Sequence, residues 1–203
     1  MYALVTNNEI TKFINHPKSM VIGDVRYPAK IFSVWSASEL NAIGIYEVVF
    51  DNSNKKDEKW YINTNQSYDF DGNEVTASYG TATPKAHADT LWTAQDETDG
   101  KGTEGEVATR GLKYNLIKDL KSQVSNELAK TDWYITRNTE KSTAIPSAIS
   151  THRDAVRTKQ TSMETAITNA SDTPALETLY TYTTDSDGVQ QPRPLGELPT
   201  LES

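Results

Sequence analysis

The sequence predicts an α+β protein: a small N-terminal mostly-β unit, then a C-terminal antiparallel helical hairpin with an extended tail. Short β-branched and aromatic runs separated by turn residues fill residues 1–92. After residue 106, apolar residues recur at helical spacing. Near the end, Pro192, Pro194 and Pro199 rule out a helix. These observations divide the chain into a mostly-β unit (1–92), an acidic glycine-rich linker (93–106), a helical hairpin with a short third helix (107–180) and an extended proline-rich tail (181–203).

Turn residues between apolar runs predict the elements of the N-terminal unit. Residues 2–14 are predicted to form a hairpin around the turn-forming sequence TNNE, and Asp71–Gly72 is predicted to close a second hairpin. Between them, Ser36 or Ser38 is expected to cap a short helix running through Ala42, with Gly44 as its left-handed stop. The sequence IYEVVF that follows predicts a buried strand.

Helical periodicity predicts two long helices and a short one. The first is expected over residues 107–130 and the second after Pro146, which suits a first helical turn. A polar connection of about 15 residues between them predicts antiparallel packing. The third helix is expected to begin with Thr173 as its cap and Pro174 at its first position. The apolar stripes are Leu112, Leu116, Ile117, Leu120, Val124 and Leu128, and then Ile149, Val156, Met163 and Ile167.

Composition argues against several classes of protein. Twenty basic and 28 acidic residues give a net charge of −8, which disfavours a nucleic-acid partner because phosphate binding needs a concentrated basic face. The absence of cysteine excludes disulfides, thiol catalysis and cysteine-bound zinc. No apolar run approaches the ~20 residues that span a bilayer, so no membrane partner is predicted, and we expect no signal peptide.

Candidate catalytic, cofactor and metal motifs lack the context that their chemistry needs. Gly100, Gly102 and Gly105 have dinucleotide-site spacing, but an acidic polar sequence precedes them instead of a buried strand. The histidines show no metal-ligand or triad spacing. The sequences DFDG (69–72) and DSDG (185–188) favour tight turns, with weak calcium binding as the alternative. We therefore predict no catalytic residue, cofactor or bound metal.

Arg153 and Arg157 are four residues apart, on one face of the second predicted helix. Asp132 and Glu140 in the preceding connection are candidate partners for them. An ion pair that fixes the hairpin is favoured over a phosphate site.

The segment from Leu128 to Arg157 resembles the C-terminal module of bacteriophage tail-fibre assembly proteins. The shared pattern is a helix ending in an Asp-Trp pair, a polar connection with a glutamate, a proline, and a helix carrying R-x-x-x-R. The sequence from Arg26 to Val48 also resembles phage tail proteins, through Pro28, Trp35, Leu40 and Gly44. The matching positions of the module are Asp132, Trp133, Arg137, Glu140, Pro146, Arg153 and Arg157.

The resemblance implies a non-enzymatic protein of a virion tail or an infected host cytoplasm that binds tail-fibre or other tail polypeptides. It is also compatible with a homo-oligomer in a symmetric tail. The alternative is a structural subunit retained in the tail, which would suit the acidic loop and the proline-rich tail. A tail-associated carbohydrate-binding or hydrolase module is a third hypothesis, because aromatic residues are frequent.

The corner between the two predicted helices is the candidate interaction site. It comprises Asp132, Trp133, Tyr134, Arg137, Glu140, Pro146, Arg153 and Arg157. The sequence leaves open whether Trp133 packs in the core of the hairpin or faces another chain.

Overall fold

The computed structural model describes residues 1–201 and confirms the α+β fold class. The chain forms two compact units, Met1–Thr83 and the residues from Pro84 onward. The division therefore falls before the predicted boundary at residue 92. Residues 85–89 belong to the second unit because they bind its helices, as described below. The last two residues of the predicted tail, 202 and 203, lie outside the described residues.

A five-stranded sheet with two short helices forms most of the first unit. The central strand β5 pairs antiparallel with β1 and parallel with β8, giving the order β2-β1-β5-β8-β7. The elements are β1 (Tyr2–Thr6), β2 (Glu9–Ile14), β3 (Met20–Ile22), β4 (Val25–Tyr27), α1 (Ile31–Val34), α2 (Ala37–Asn41), β5 (Ile45–Asp51), β6 (Tyr61–Ile62), β7 (Ser67–Phe70) and β8 (Val75–Ser78), with β9 (Thr83–Pro84) at the boundary.

Both predicted hairpins are confirmed. β1 and β2 pair antiparallel around Asn7 and Asn8, whose positive φ angles of 53° and 64° suit a tight hairpin turn. β7 and β8 pair antiparallel around Asp71 and Gly72, and Gly72 has φ 99°. The parallel pairing of β5 with β8 was not predicted, since no local turn signal accompanies it.

The predicted short helix is confirmed with Ser36 as its cap. The Ser36 hydroxyl accepts a hydrogen bond from the backbone N–H of Glu39, and the Glu39 carboxylate accepts one from the N–H of Ser36. Gly44 has φ +82°, and a Cβ there would lie 2.6 Å from the carbonyl oxygen of Val5. Glycine is therefore needed where the chain enters β5.

The two faces of the sheet carry separate apolar clusters, Ile14, Met20, Ile31, Leu40 and Ile45 on the side of α2, and Ala3, Val5, Val48, Val75 and Ala77 on the other. The predicted strand over residues 45–50 is confirmed, but it is buried only in part. Ile45 and Val48 of β5 are buried, whereas Val49 and Phe50 are 44% and 48% exposed. A strand in a small unit is covered well on only part of its length.

The second unit is mainly helical. Its elements are β10 (Thr90–Leu91), α3 (Ala94–Thr98), β11 (Val107–Thr109), α4 (Leu112–Ala129), α5 (Asp132–Lys141), α6 (Ser147–Asn169), α7 (Thr173–Tyr180), β12 (Thr183–Thr184) and β13 (Gln190–Gln191). No helix of the described part of the chain is long and apolar enough to cross a membrane.

Helices α4 and α6 form the predicted antiparallel hairpin. Lys113 near the start of α4 donates to the carbonyl of Thr168 near the end of α6, and Arg153 near the start of α6 donates to the carbonyl of Leu128. The predicted stripes are largely confirmed, because the following residues are buried: Leu116, Leu120 and Val124, and Ile149, Val156, Met163 and Ile167.

Helix α4 begins at Leu112, five residues later than predicted. The N–H groups of Leu112 and Lys113 donate to the carbonyls of Ala86 and His87, and the N–H of Gly111 donates to the Asp89 carboxylate. Residues 86–89 therefore cap the start of α4, although more than 20 residues separate them from it in sequence. Local sequence patterns do not reveal such a contact. Residues 107–109 form β11 instead and pair with β10.

The predicted linker, residues 93–106, is a folded loop. Thr93 and Asp96 form a capping box that starts α3. The pairing of β10 with β11 closes the loop, and a Cβ on Gly102 would lie 2.3 Å from the indole Nε1 of Trp92. Gly102, which suggested a flexible linker in the sequence, thus allows close packing against Trp92 in the structure.

The C-terminal elements depart from prediction in two details. Asp172, one residue before the predicted cap Thr173, caps α7 by accepting from the N–H of Ala175. The tail contains a short hairpin of β12 and β13, and beyond it Leu195 is only 3% exposed, with its N–H donating to the carbonyl of Leu179. The tail therefore packs on its own unit.

Candidate functional site

Helix α5 occupies the polar connection between the two long predicted helices, where no further helix was predicted. Asp132 lies in its first turn and Lys141 in its last, where the helix dipole stabilises each charge. The helix ends at Ser142, which has the left-handed conformation with φ 48°. None of its ten residues is buried. The helix thus projects most of its side chains into solvent.

An aromatic and cationic cluster lies at the start of α5. The rings of Trp133 and Tyr134 have centroids 4.0 Å apart. The guanidinium carbon of Arg137 lies 4.7 Å from the Trp133 centroid and 5.6 Å from the Tyr134 centroid, within cation–π range. Trp133 is 52% exposed. The stacked Arg137 restrains this indole while leaving half of it open to solvent.

Arg153 of α6 ties α5 to the hairpin. Its Nη1 donates to the carbonyl of Leu128 at 2.8 Å and to the hydroxyl of Thr131 at 2.7 Å, and it lies 2.8 Å from the carboxylate of Asp132. The Arg153 side chain is 9% exposed. One buried guanidinium therefore joins the end of α4, the residue before α5 and the first residue of α5.

A second charged group lies beside this anchor. The Glu127 carboxylate accepts a hydrogen bond from Lys130, and one of its oxygens lies 3.2 Å from Nε2 of His152. The bond from Lys130 is the main cause that lowers the pKa of Glu127, and the charge of Lys130 adds to it against the opposing effect of burial. Glu127 is therefore an ionised acceptor inside the corner.

The structure brings together most of the residues predicted for the corner. Arg153 pairs with Asp132, one of its two predicted partners. Pro146 is the residue directly before α6, and Glu140 is exposed on α5. The pairing predicted for Arg157 is wrong, because its guanidinium pairs with Asp154 of its own helix at 3.2 Å. The Arg157 side chain is 52% exposed and meets an acidic group one turn before it on the same helix.

Sequence reasoning missed Glu127, Lys130, Thr131 and His152. Their signal was present but ambiguous. His152 follows Ile149 by three residues and lies on the buried stripe, and Glu127 follows Val124 by three. A polar residue at an apolar stripe position indicates a buried polar contact, yet only the fold shows which partner it meets.

The other candidate motifs have structural explanations. Lys101 in the glycine-rich loop pairs with Asp96 and Asp99, both at 3.1 Å. Asp71 accepts from the N–H groups of Asn73 and Glu74, and Asp185 accepts from those of Asp187 and Val189, so both carboxylates organise turns. Within residues 1–201, no three His, Asp or Glu side chains lie close enough to hold a metal ion.

Comparison with known proteins adds no relative. No family model, curated protein or solved structure matches the chain.

Proposed function

We propose that this chain is a non-enzymatic bacteriophage tail-associated protein that binds a tail-fibre or other tail polypeptide through helix α5. The observation that carries the proposal is the half-exposed Trp133, held in place by Tyr134 and Arg137 on a helix without buried residues. Tryptophan and arginine are enriched among residues that dominate binding energy at protein interfaces. The resemblance of residues 128–157 to fibre-assembly modules supplies the class of partner.

The Arg153 anchor supports the same proposal. A binding helix loses less conformational entropy on association when it is already fixed in place. Arg153 fixes the N-terminal end of α5 through Thr131 and Asp132, next to Trp133 in sequence. The exposed face is therefore preorganised at the end that carries the aromatic cluster.

Co-expression with a bacteriophage tail-fibre polypeptide tests the proposal. We expect the two to co-purify, and we expect Trp133→Ala to weaken the complex by ~2 kcal/mol or more, the loss typical of an interface hot spot. Trp35→Phe is the matched control, since Trp35 lies on the first unit and packs against Tyr27. The role of α5 would be refuted if Trp133→Ala co-purified as well as Trp35→Phe, or if the wild-type chain formed no complex.

A further inference from the structure

The outer face of α4 carries an apolar groove bordered by positive charge. Tyr114, Ile117, Lys118 and Lys121 line a cavity of about 340 Å³. Tyr114 is 42% exposed, and the guanidinium carbon of Arg110 lies 4.2 Å from its ring centroid. Leu116 and Leu120 of the same helix are buried. The groove thus leaves apolar surface of α4 outside its buried stripe, although Lys121 at the edge of the groove approaches Glu164 of α6.

The positive charge of this groove is only partly neutralised within the chain. Residues 110–121 contain four basic side chains and one acidic one, Asp119, and Arg110 is already paired with Asp89 at 2.6 Å. Lys118 forms no ion pair with any residue of the described range, and the nearest carboxylate to Lys121, that of Glu164, is 4.0 Å away. Side chains from a partner could therefore pair with both lysines.

The folded loop of residues 93–106 has the complementary charge. It contains Asp96, Glu97, Asp99, Glu104 and Glu106 against the single Lys101. Lys101 pairs with Asp96 and Asp99, whereas Glu97, Glu104 and Glu106 are exposed and form no ion pair among the described residues. Because the capping box and the packing of Gly102 on Trp92 hold the loop in shape, these three carboxylates are presented at little entropic cost.

We infer that the groove on α4 binds the acidic loop of a second copy of this chain. Within one chain, no ion pair joins the loop to Lys118 or Lys121 among the described residues, so both surfaces keep their charge for association. Such contacts are either reciprocal in a two-fold dimer, where each loop binds the groove of the other copy, or they repeat head-to-tail into a ring or filament. The attraction between exposed charges weakens as salt increases.

Two charge-reversed variants test this inference. The groove variant is Lys118→Glu with Lys121→Glu, and the loop variant is Glu97→Lys, Glu104→Lys and Glu106→Lys. Sedimentation velocity of the wild-type chain alone is expected to show concentration-dependent association at low salt that decreases at high salt. Each variant alone should associate at least about tenfold more weakly, because like charges then face each other.

An equimolar mixture of the two variants should restore association, since every contact between them again joins opposite charges. The control is Lys12→Glu with Lys18→Glu, which lies on the first unit. It changes the net charge by the same amount as the groove variant and should associate like the wild type. A monomeric wild type at low salt, or association that the groove variant leaves unchanged, would overturn the inference. The measurement uses this chain alone, and Trp133→Ala should still self-associate, so its outcome is independent of the proposed tail-polypeptide binding.

Discussion

The guanidinium of Arg153 donates a hydrogen bond to the hydroxyl of Thr131, 2.7 Å away, and so fastens α6 to the residue before α5. The Thr131 hydroxyl in turn donates to the carbonyl of Leu128 at 3.0 Å, while Arg153 also reaches that carbonyl. Thr131 is 1% exposed. The contact therefore closes a buried ring of hydrogen bonds at the corner where α4 ends.

Arg153→Ala should destabilise the protein by about 1–3 kcal/mol, because it removes charge-assisted hydrogen bonds to groups that stay buried. Urea denaturation measures the change in the free energy of unfolding. Arg157→Ala is the matched control. Its side chain is 52% exposed and pairs with the 77% exposed Asp154, so its loss should cost less than about 0.5 kcal/mol. Equal losses for the two variants would contradict the anchoring role of Arg153.

The elements with local signals were predictable from the sequence, and those fixed by distant contacts were not. The turn at Asn7 and Asn8 and the cap at Ser36 depend on neighbouring residues alone. The late start of α4 depends on Ala86 and His87, and no pattern near Leu112 reveals that contact. At the site, the pair of Arg153 with Asp132 was predicted by charge and spacing, whereas Glu127 and His152 meet only once the hairpin has formed.

Trp133→Ala should change stability by less than about 1 kcal/mol, since surface substitutions outside the core have small effects. The ring is 52% exposed and contacts Tyr134 and Arg137 of its own helix, so its removal leaves no cavity in the core. Leu120→Ala, at 3% exposure on α4, should cost about 2–5 kcal/mol in the same urea experiment. A loss of ~3–5 kcal/mol for Trp133→Ala would instead assign the indole to the core.

Leu195→Ala should cost about 2–4 kcal/mol, because the side chain is 3% exposed and its removal leaves a cavity under the tail. Leu201→Ala, at 39% exposure on the same tail, should have a much smaller effect. The two variants are compared by their thermal unfolding temperatures and by the rate at which a protease cleaves the chain after residue 190. Identical behaviour of both would mean that the tail does not stabilise its own unit.

Glu127→Gln should make the unfolding free energy of the protein less dependent on pH. The folded-state pKa of Glu127 is lowered below its ordinary value of 4.5, mainly by the hydrogen bond from Lys130. A carboxyl group with a lowered folded-state pKa contributes stability that is fully present above the unfolded-state pKa and is lost as pH falls through the folded-state value. The variant should therefore be less stable than the wild type at pH 7, by about 1–3 kcal/mol for the lost charged acceptor.

As pH falls below 4.5 the wild type also loses the negative charge of Glu127, and the unfolding free energies of the variant and the wild type should converge. Glu140→Gln, on exposed α5, is the control and should follow the wild type across the same range. A stability difference between Glu127→Gln and the wild type that stays constant from pH 7 to pH 3 would show that shape, and not charge, accounts for the contribution of Glu127.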